Sequence, residues 1–371
     1  MIVGVVGATG MVGGELLSQI ERRRFPFSRL LLFSASRGHA PRIVRGRRSE
    51  VLPLSSHSGL LRDCGLVFFA GSDGVSRRLA KGLARRGAWV IDDSSAFRLD
   101  PEVPLVIPEV NADALRADRR LIAGPNCTMS GLAVALSPLH RLWKLRELRV
   151  ASYQSVSGAG RGALGEFAGQ AELLARALAK RGKGDMREKS GVRSRPKAER
   201  PPGPREMCWP GGAPLFPKPR FLSAPIAGNV IPQVGPFDLL GRSEEEIKVA
   251  SELAKVLGAP GIKTSVTAVR VPTIRGHALA CWARFHGPAD EAMARRRLRR
   301  APGIKLHEGS LYPTPLAAAG SDPVHVGRLR RGVDGRELCL WIVSDNLLKG
   351  AALNAVQIAE EILRRGWLAR R

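Results

Sequence analysis

The sequence predicts an α/β protein of two domains, and three features of the 371-residue chain carry that expectation. Over residues 1–125 short apolar runs alternate with stretches of helical spacing, the pattern of a parallel sheet covered on both faces. From about Leu145 the strand-like runs lengthen and alternate, which fits a mixed or largely antiparallel sheet with helices on one face. The composition, 44% hydrophobic and 25% charged, is that of a globular chain long enough to bury two cores.

In order, Ile2–Val6 reads as a strand and 12–21 as a helix, followed by strands at 29–33 and 65–70. A helix at 75–86, strands at 88–92 and Leu121–Ala123, and a helix-compatible stretch at 131–142 complete the first half. In the second half, strands are expected at 148–155, 265–271, 278–285 and 338–343. A helix at 244–257 opens on Ser243 with Glu246 three residues later, a capping box. An amphipathic helix at 351–364 closes the chain and is expected to pack back on the first domain. The expected division is 1–128, joined by the C-terminal helix at about 346–371, and 129–345.

Within the second domain, residues 176–220 carry thirteen Lys/Arg against four Asp/Glu and a cluster of proline and glycine. So polar a stretch cannot bury a core of its own and reads as an extended surface insertion. The net charge of +26 raises a nucleic-acid partner. Clusters such as Arg85-Arg86 and Arg295-Arg296-Arg297 fall in helix-like stretches, however, and no nucleic-acid module accompanies them, so the excess reads as solvated arginine. No apolar run approaches the ~20 residues that span a bilayer. The chain enters its first strand without a basic leader, which predicts a cytoplasmic protein. Five scattered cysteines with no Cys-x-x-Cys pair predict neither a disulfide framework nor a metal site.

Gly7-Ala8-Thr9-Gly10-Met11-Val12-Gly13 lies between the first strand and the first helix. Glycines there permit a tight turn, let backbone approach a pyrophosphate and allow close helix packing, while free amides at the helix start attract phosphate. This predicts a Rossmann-like dinucleotide-binding domain. At the end of the second strand an NAD site needs a carboxylate for the ribose hydroxyl. The chain has Ser36 and Arg37 instead, suited to a 2′-phosphate, so NADP is the expected cofactor.

Gly124-Pro125-Asn126-Cys127-Thr128-Met129 follows a strand and precedes a helix. A cysteine at such a junction feels the helix dipole and unsatisfied amides, which favour thiolate. A thiolate can attack an acyl carbon or an aldehyde. A buried structural cysteine is the plainer reading, and the position after Pro-Asn at a strand end argues against it.

These blocks resemble the aspartate-semialdehyde dehydrogenase family. The resemblance extends through Ile91-Asp92-Asp93-Ser94-Ser95-Ala96-Phe97-Arg98, Tyr153-Gln154-Ser155-Val156-Ser157-Gly158-Ala159-Gly160 and Asn229-Val230-Ile231-Pro232-Gln233. It continues in Arg270-Val271-Pro272-Thr273-Ile274-Arg275-Gly276-His277 and Asp345-Asn346-Leu347-Leu348-Lys349-Gly350-Ala351-Ala352. It implies an N-terminal Rossmann-like dinucleotide-binding domain plus a C-terminal α+β catalytic and dimerisation domain. The implied activity is NADPH-dependent reduction of L-4-aspartyl phosphate to L-aspartate 4-semialdehyde, in lysine, threonine and methionine biosynthesis.

By the same resemblance, Cys127 is the nucleophile, His277 its acid/base and Gln154 an orienting residue. Arg270 meets the substrate carboxylate, Arg98, Lys248 and Asn126 the phosphate, and Glu245 the ammonium group. Glu245 and Lys248, three residues apart, would share a helix face; an ordinary surface ion pair is the alternative for those two. Ser157, Gly158 and Asn346 resemble further cofactor contacts, and a homodimer or homotetramer is implied. The chain departs from the family at Gly124, at Thr128-Met129 and at Asp93, where Asn is frequent. Two rivals stay open: an N-acetyl-γ-glutamyl-phosphate reductase, whose nucleophile sits in Gly-Cys-Tyr/Phe-Pro, and a non-catalytic homologue.

Overall fold

The computed structural model describes residues 1–184 and 216–368. Its first sheet contains β1 (Ile2–Val6), β2 (Arg29–Ser34), β5 (Val51–Pro53), β6 (Leu66–Phe69), β7 (Trp89–Asp92) and β8 (Leu121–Ala123), with β3 (Arg42–Val44) and β4 (Arg47–Ser49) forming a separate hairpin. The order is β5-β2-β1-β6-β7-β8 and every pairing is parallel. Because the chain winds outward from β1 in one direction and then from β6 in the other, a crevice opens beyond their carboxyl ends. Ligands bind such sheets there.

Both faces of this sheet are covered, which is why its strands are apolar on both sides. Val3 and Val5 pack with Leu16 and Ile20 of helix Met11–Arg22, and with Val356 and Ile358 of helix Leu353–Arg364. The C-terminal helix is held to the first sheet by more than apolar burial. Arg23 donates to Glu360 at 2.6 Å, and the Trp89 and Trp367 rings stack at 5.8 Å and 5°. On the opposite face Val6 and Phe69 share a core with Ala80 and Leu83 of helix Asp73–Arg85.

The second sheet runs β10 (Lys263–Arg270), β9 (Leu145–Gln154), β11 (His277–Phe285), β14 (Glu337–Ser344), β13 (Val324–Arg331) and β12 (Ile304–Leu306). Its two outer pairs are parallel and the three central pairings antiparallel, so the sheet is mixed. Helix Cys127–Trp143 crosses the seam between the sheets, and Thr128 through His140 are all buried. Its Leu132, Leu136 and Leu139 join one core with residues of both sheets. Each such leucine contributes about 1.5–3 kcal/mol, so the start of this helix is firmly placed relative to both domains.

Two of the departures from the sequence expectation concern helices beside the site. Helix Gly160–Gly184 extends over the first nine residues of the stretch expected to be an extended insertion. An alanine- and leucine-rich lead-in (Ala171, Leu173, Leu174, Ala175) propagates the helix into the basic run. Residues 185–215 of that stretch lie outside the described residues. The final helix is preceded by a π-helical turn, Leu348–Ala352. Such turns are rare and are often found at functional sites.

Candidate active site

The glycine loop lies at the mouth of the crevice. Gly7 sits at φ 86°, and a Cβ there would lie 2.5 Å from the Ala70 carbonyl at the end of β6. A side chain on Gly13 would collide with the Gly7 carbonyl. The loop therefore folds flat against β6, and helix Met11–Arg22 begins at Gly10 with no side-chain cap. The first amides of an uncapped helix have no partner of their own and suit a phosphate. Thr9 and Met11 are half-buried beside Val12, which faces the cleft. Gly7 N–H and Ala8 N–H both donate to the Phe33 carbonyl, at 2.9 and 3.0 Å. That bond places the end of β2, with exposed Ser36 and Arg37, beside the loop.

Cys127 is the first residue of its helix rather than four residues upstream of it. Asn126 is the N-cap, and its Oδ1 accepts the Thr128 and Met129 amides at 2.8 and 3.1 Å. Cys127 Sγ lies 3.4 Å from His277 Nε2 on the first residue of β11, 150 positions away. The expectation that the helix dipole holds the thiol ionised is corrected here. Burial, reinforced by the nearby Glu245 carboxylate, pushes the thiol up to about 11, although Arg98 and Arg270 pull the other way. Burial likewise drives His277 down to about 3, with Arg270 acting in the same direction. Desolvation thus opposes the charged form of both members of the pair.

Glu245 is the hub of the polar site. Its carboxylate accepts from Asn126 Nδ2 at 2.9 Å, Thr128 Oγ1 at 2.8 Å and Gln154 Nε2 at 3.0 Å. Asn126, Gln154 and Glu245 are all buried. The helix Glu244–Val256 is anchored at its start by the expected capping pair, Glu246 accepting the Ser243 amide at 2.7 Å, and Glu246 also accepts Ala268 N–H from β10.

Arg98 has fixed protein partners. It donates to the Gly124 and Asp93 carbonyls at 3.0 and 2.8 Å and to Glu252 at 3.2 Å. Glu252 in turn accepts the Asn126 amide at 2.7 Å. The guanidinium thus welds the loop before Cys127 to the second domain while still facing the cleft. Arg270 donates to the Ser155 carbonyl at 2.8 Å and borders a second cavity of about 270 Å³, beside Gln233 and Gly235. Lys248 stands apart from this cluster. Its ammonium pairs with exposed Glu244 at 2.7 Å, not with Glu245.

A cleft of about 190 Å³ runs from Val12 and Gly71 past Asp93 and Arg98 to Cys127, with Ser157, Gly158, Asn346 and Gly350 as its far wall. The structure therefore brings Val12 of the glycine loop, Arg98, Asn126, Cys127, Ser157, Gly158 and Asn346 to one space. His277 and Gln154 lie behind it, against Cys127 and Glu245, and Ser36 and Arg37 are exposed just past the end of β2. Among the described residues no cluster of acidic, His or Cys side chains could hold a metal ion, and no helix is long and apolar enough to cross a membrane.

Glu252 and Ser155 went unread in the sequence. Glu252 shares a face with Glu245, seven positions on, a spacing that could have flagged it. Ser155 carries no such signal, because its role arises only from a contact with a residue 122 positions away.

A doubly wound parallel sheet with a phosphate-type loop, joined to a mixed sheet that supplies a histidine to a cysteine, defines the semialdehyde dehydrogenase class. Residues 2–118 match the family described as semialdehyde dehydrogenase, NAD binding domain, and residues 136–349 the semialdehyde dehydrogenase, dimerisation domain. An aspartate-semialdehyde dehydrogenase of Streptomyces akiyoshiensis is 40% identical, over 97% of this chain and 98% of that protein. One from Synechocystis is 36% identical, over 99% and 98%. The crystal structure of aspartate semialdehyde dehydrogenase II from Vibrio cholerae, complexed with ASA, superposes with a TM-score of 0.84 at 32% identity, over 98% of both chains. The chain belongs to the aspartate-semialdehyde dehydrogenase family.

Proposed function

We propose that the chain reduces L-4-aspartyl phosphate to L-aspartate 4-semialdehyde with release of phosphate, serving lysine, threonine and methionine synthesis in the cytoplasm. The observation that carries this reading is Cys127 Sγ 3.4 Å from His277 Nε2, on the cleft that leads to the glycine loop. Gly7 and Gly13 stand where a Cβ would strike the Ala70 and Gly7 carbonyls, so only glycine lets the loop lie this close to β6 and to its own helix, and that helix is uncapped. Ser36 and Arg37 in place of a carboxylate favour NADP over NAD. Ser157, Gly158 and Asn346 would hold its reactive end.

Cys127 attacks the acyl carbon and expels phosphate, leaving a thioester. When bound, NADPH supplies the hydride. The sulfur then leaves as the aldehyde forms, with His277 as acid/base partner of the pair. Arg98 and Asn126, with Lys248 swinging from Glu244, would receive phosphate. Arg270 would grip the α-carboxylate bidentately and Glu245 the ammonium group. Gln154, bonded to Glu245, would orient the intermediate. An ammonium partner for Glu245 favours the free amino acid over an N-acetylated substrate.

The outer face of the second sheet supports a homodimer or homotetramer. Tyr153 and Trp282 remain 38% and 37% exposed there, with Trp341 tilted against Tyr153 at 5.5 Å. The functional test is oxidation of aspartate semialdehyde plus phosphate with NADP, compared with NAD and with the N-acetylglutamate homologue. A higher kcat/KM for the acetylated aldehyde would overturn the substrate assignment.

A further inference from the structure

Given the cofactor reading proposed above, on which this rests, we infer that Arg161 of the second domain reaches across the seam to the glycine loop and binds the diphosphate of the dinucleotide. Arg161 Nη2 donates to the Thr9 carbonyl at 3.2 Å, although the two residues are 152 positions apart in the chain.

The start of its helix is firmly placed. Ser157 and Gly158 line the cleft, Gly160 turns the chain at φ 89°, and Arg161 stands in the first turn of helix Gly160–Gly184. Before the turn, the Val156 and Ser157 amides donate to the Thr273 and Ile274 carbonyls at 2.8 and 3.2 Å. After it, buried Ala163 packs with Val156, Ile226 and Ile231. A Cβ on Gly162 would strike the Phe221 ring, and Glu166 accepts the Arg220 and Phe221 amides at 2.8 and 3.1 Å. The backbone of Arg161 is therefore held from both sides while the residue itself is exposed.

Residues 7–14 of the glycine loop carry no charged side chain. Their amides and the helix start offer an anion only partial charges. A guanidinium adds a full charge and a planar set of N–H donors that matches phosphate oxygens.

A second arginine crosses the same seam and marks the difference. Arg275 donates to Glu15 of helix Met11–Arg22 at 2.5 Å and to Asp345 at 2.6 Å, so its charge is met by two carboxylates of the protein. Arg98 is likewise matched by Glu252. Among the described residues no carboxylate pairs with Arg161, and the neutral Thr9 carbonyl engages one of its several N–H groups. Arg275 thus ties the two domains together, whereas Arg161 keeps its charge for an anion. Its place at Thr9 selects the diphosphate. The 2′-phosphate falls to Ser36 and Arg37, past the end of β2.

The test is titration calorimetry, without substrate, of NADP, NAD and adenosine 2′-monophosphate against the wild type, Arg161→Ala and Arg161→Lys. Arg161→Ala should weaken NADP and NAD alike, by about 5- to 20-fold at low salt, and leave adenosine 2′-monophosphate, which has no diphosphate, unchanged. The loss should shrink as salt rises from about 0.05 M to about 0.5 M, and Arg161→Lys, which keeps the charge, should recover most of it. Unchanged dinucleotide binding in Arg161→Ala would overturn the inference and leave the cofactor reading standing. So would a loss for adenosine 2′-monophosphate as large as that for NADP, or a salt-independent loss equal in both variants, the mark of packing alone. A wild-type chain that binds neither dinucleotide would remove the cofactor reading and the inference together.

Discussion

Replacing Asp93 by Asn should stabilise the protein at neutral and higher pH. The Asp93 carboxyl lies against Gly124, and its Oδ1 is buried with no hydrogen-bond partner. Burial, aided by neighbouring Asp92, raises its pKa from the ordinary 3.8 to about 7, against the pull of Arg98. At about 1.36 kcal/mol per pH unit, that gap corresponds to about 4 kcal/mol against the ionised form. Part of the residue faces the cleft, so solvent and relaxation reduce the figure to about 2 kcal/mol. The sign follows from proton binding. Between the unfolded value and about pH 7 the folded chain holds the extra proton, so stability falls as pH rises through that window. The carboxamide of Asp93→Asn cannot ionise and keeps the shape of the carboxyl group. Urea unfolding of both proteins at about pH 5 and pH 8 should therefore show the variant's advantage growing by about 1 kcal/mol at the higher pH, the rest of the penalty being already present at pH 5. Equal pH slopes for the two proteins would refute the reasoning.

Three other outcomes are expected. Iodoacetamide should modify Cys127 slowly at neutral pH and faster as pH rises toward about 11, and Glu245→Gln should move that profile to lower pH by removing a nearby anion; mass spectrometry of the modified peptide reads both. Lys349, fully buried and paired with Glu109 at 2.5 Å, holds the π-helical turn to residues 108–111. Lys349→Met strands the partner carboxylate and should cost about 3–5 kcal/mol by urea unfolding. Gly13→Ala places a methyl group on the Gly7 carbonyl and should weaken NADP binding at least tenfold by titration calorimetry, with Cys127 alkylation little changed.

Much of the site could be read from local sequence. The strand, glycine turn and helix over residues 2–22 follow from patterning and from backbone geometry that only glycine tolerates, both short-range properties. Ser243 and Glu246 announced a helix start for the same reason, and Cys127 stood out because it follows a strand and opens a helix. What the tertiary structure decided was the electrical state of those residues and their partners. Arg98 is committed to Glu252, Lys248 turns to Glu244, and burial with Glu245 raises the Cys127 thiol at a helix start that the sequence does reveal. His277 accepts a hydrogen bond from an amide 122 positions earlier. Propensity acts over a few neighbours along the chain, whereas desolvation and hydrogen-bond direction depend on which distant groups share a buried volume.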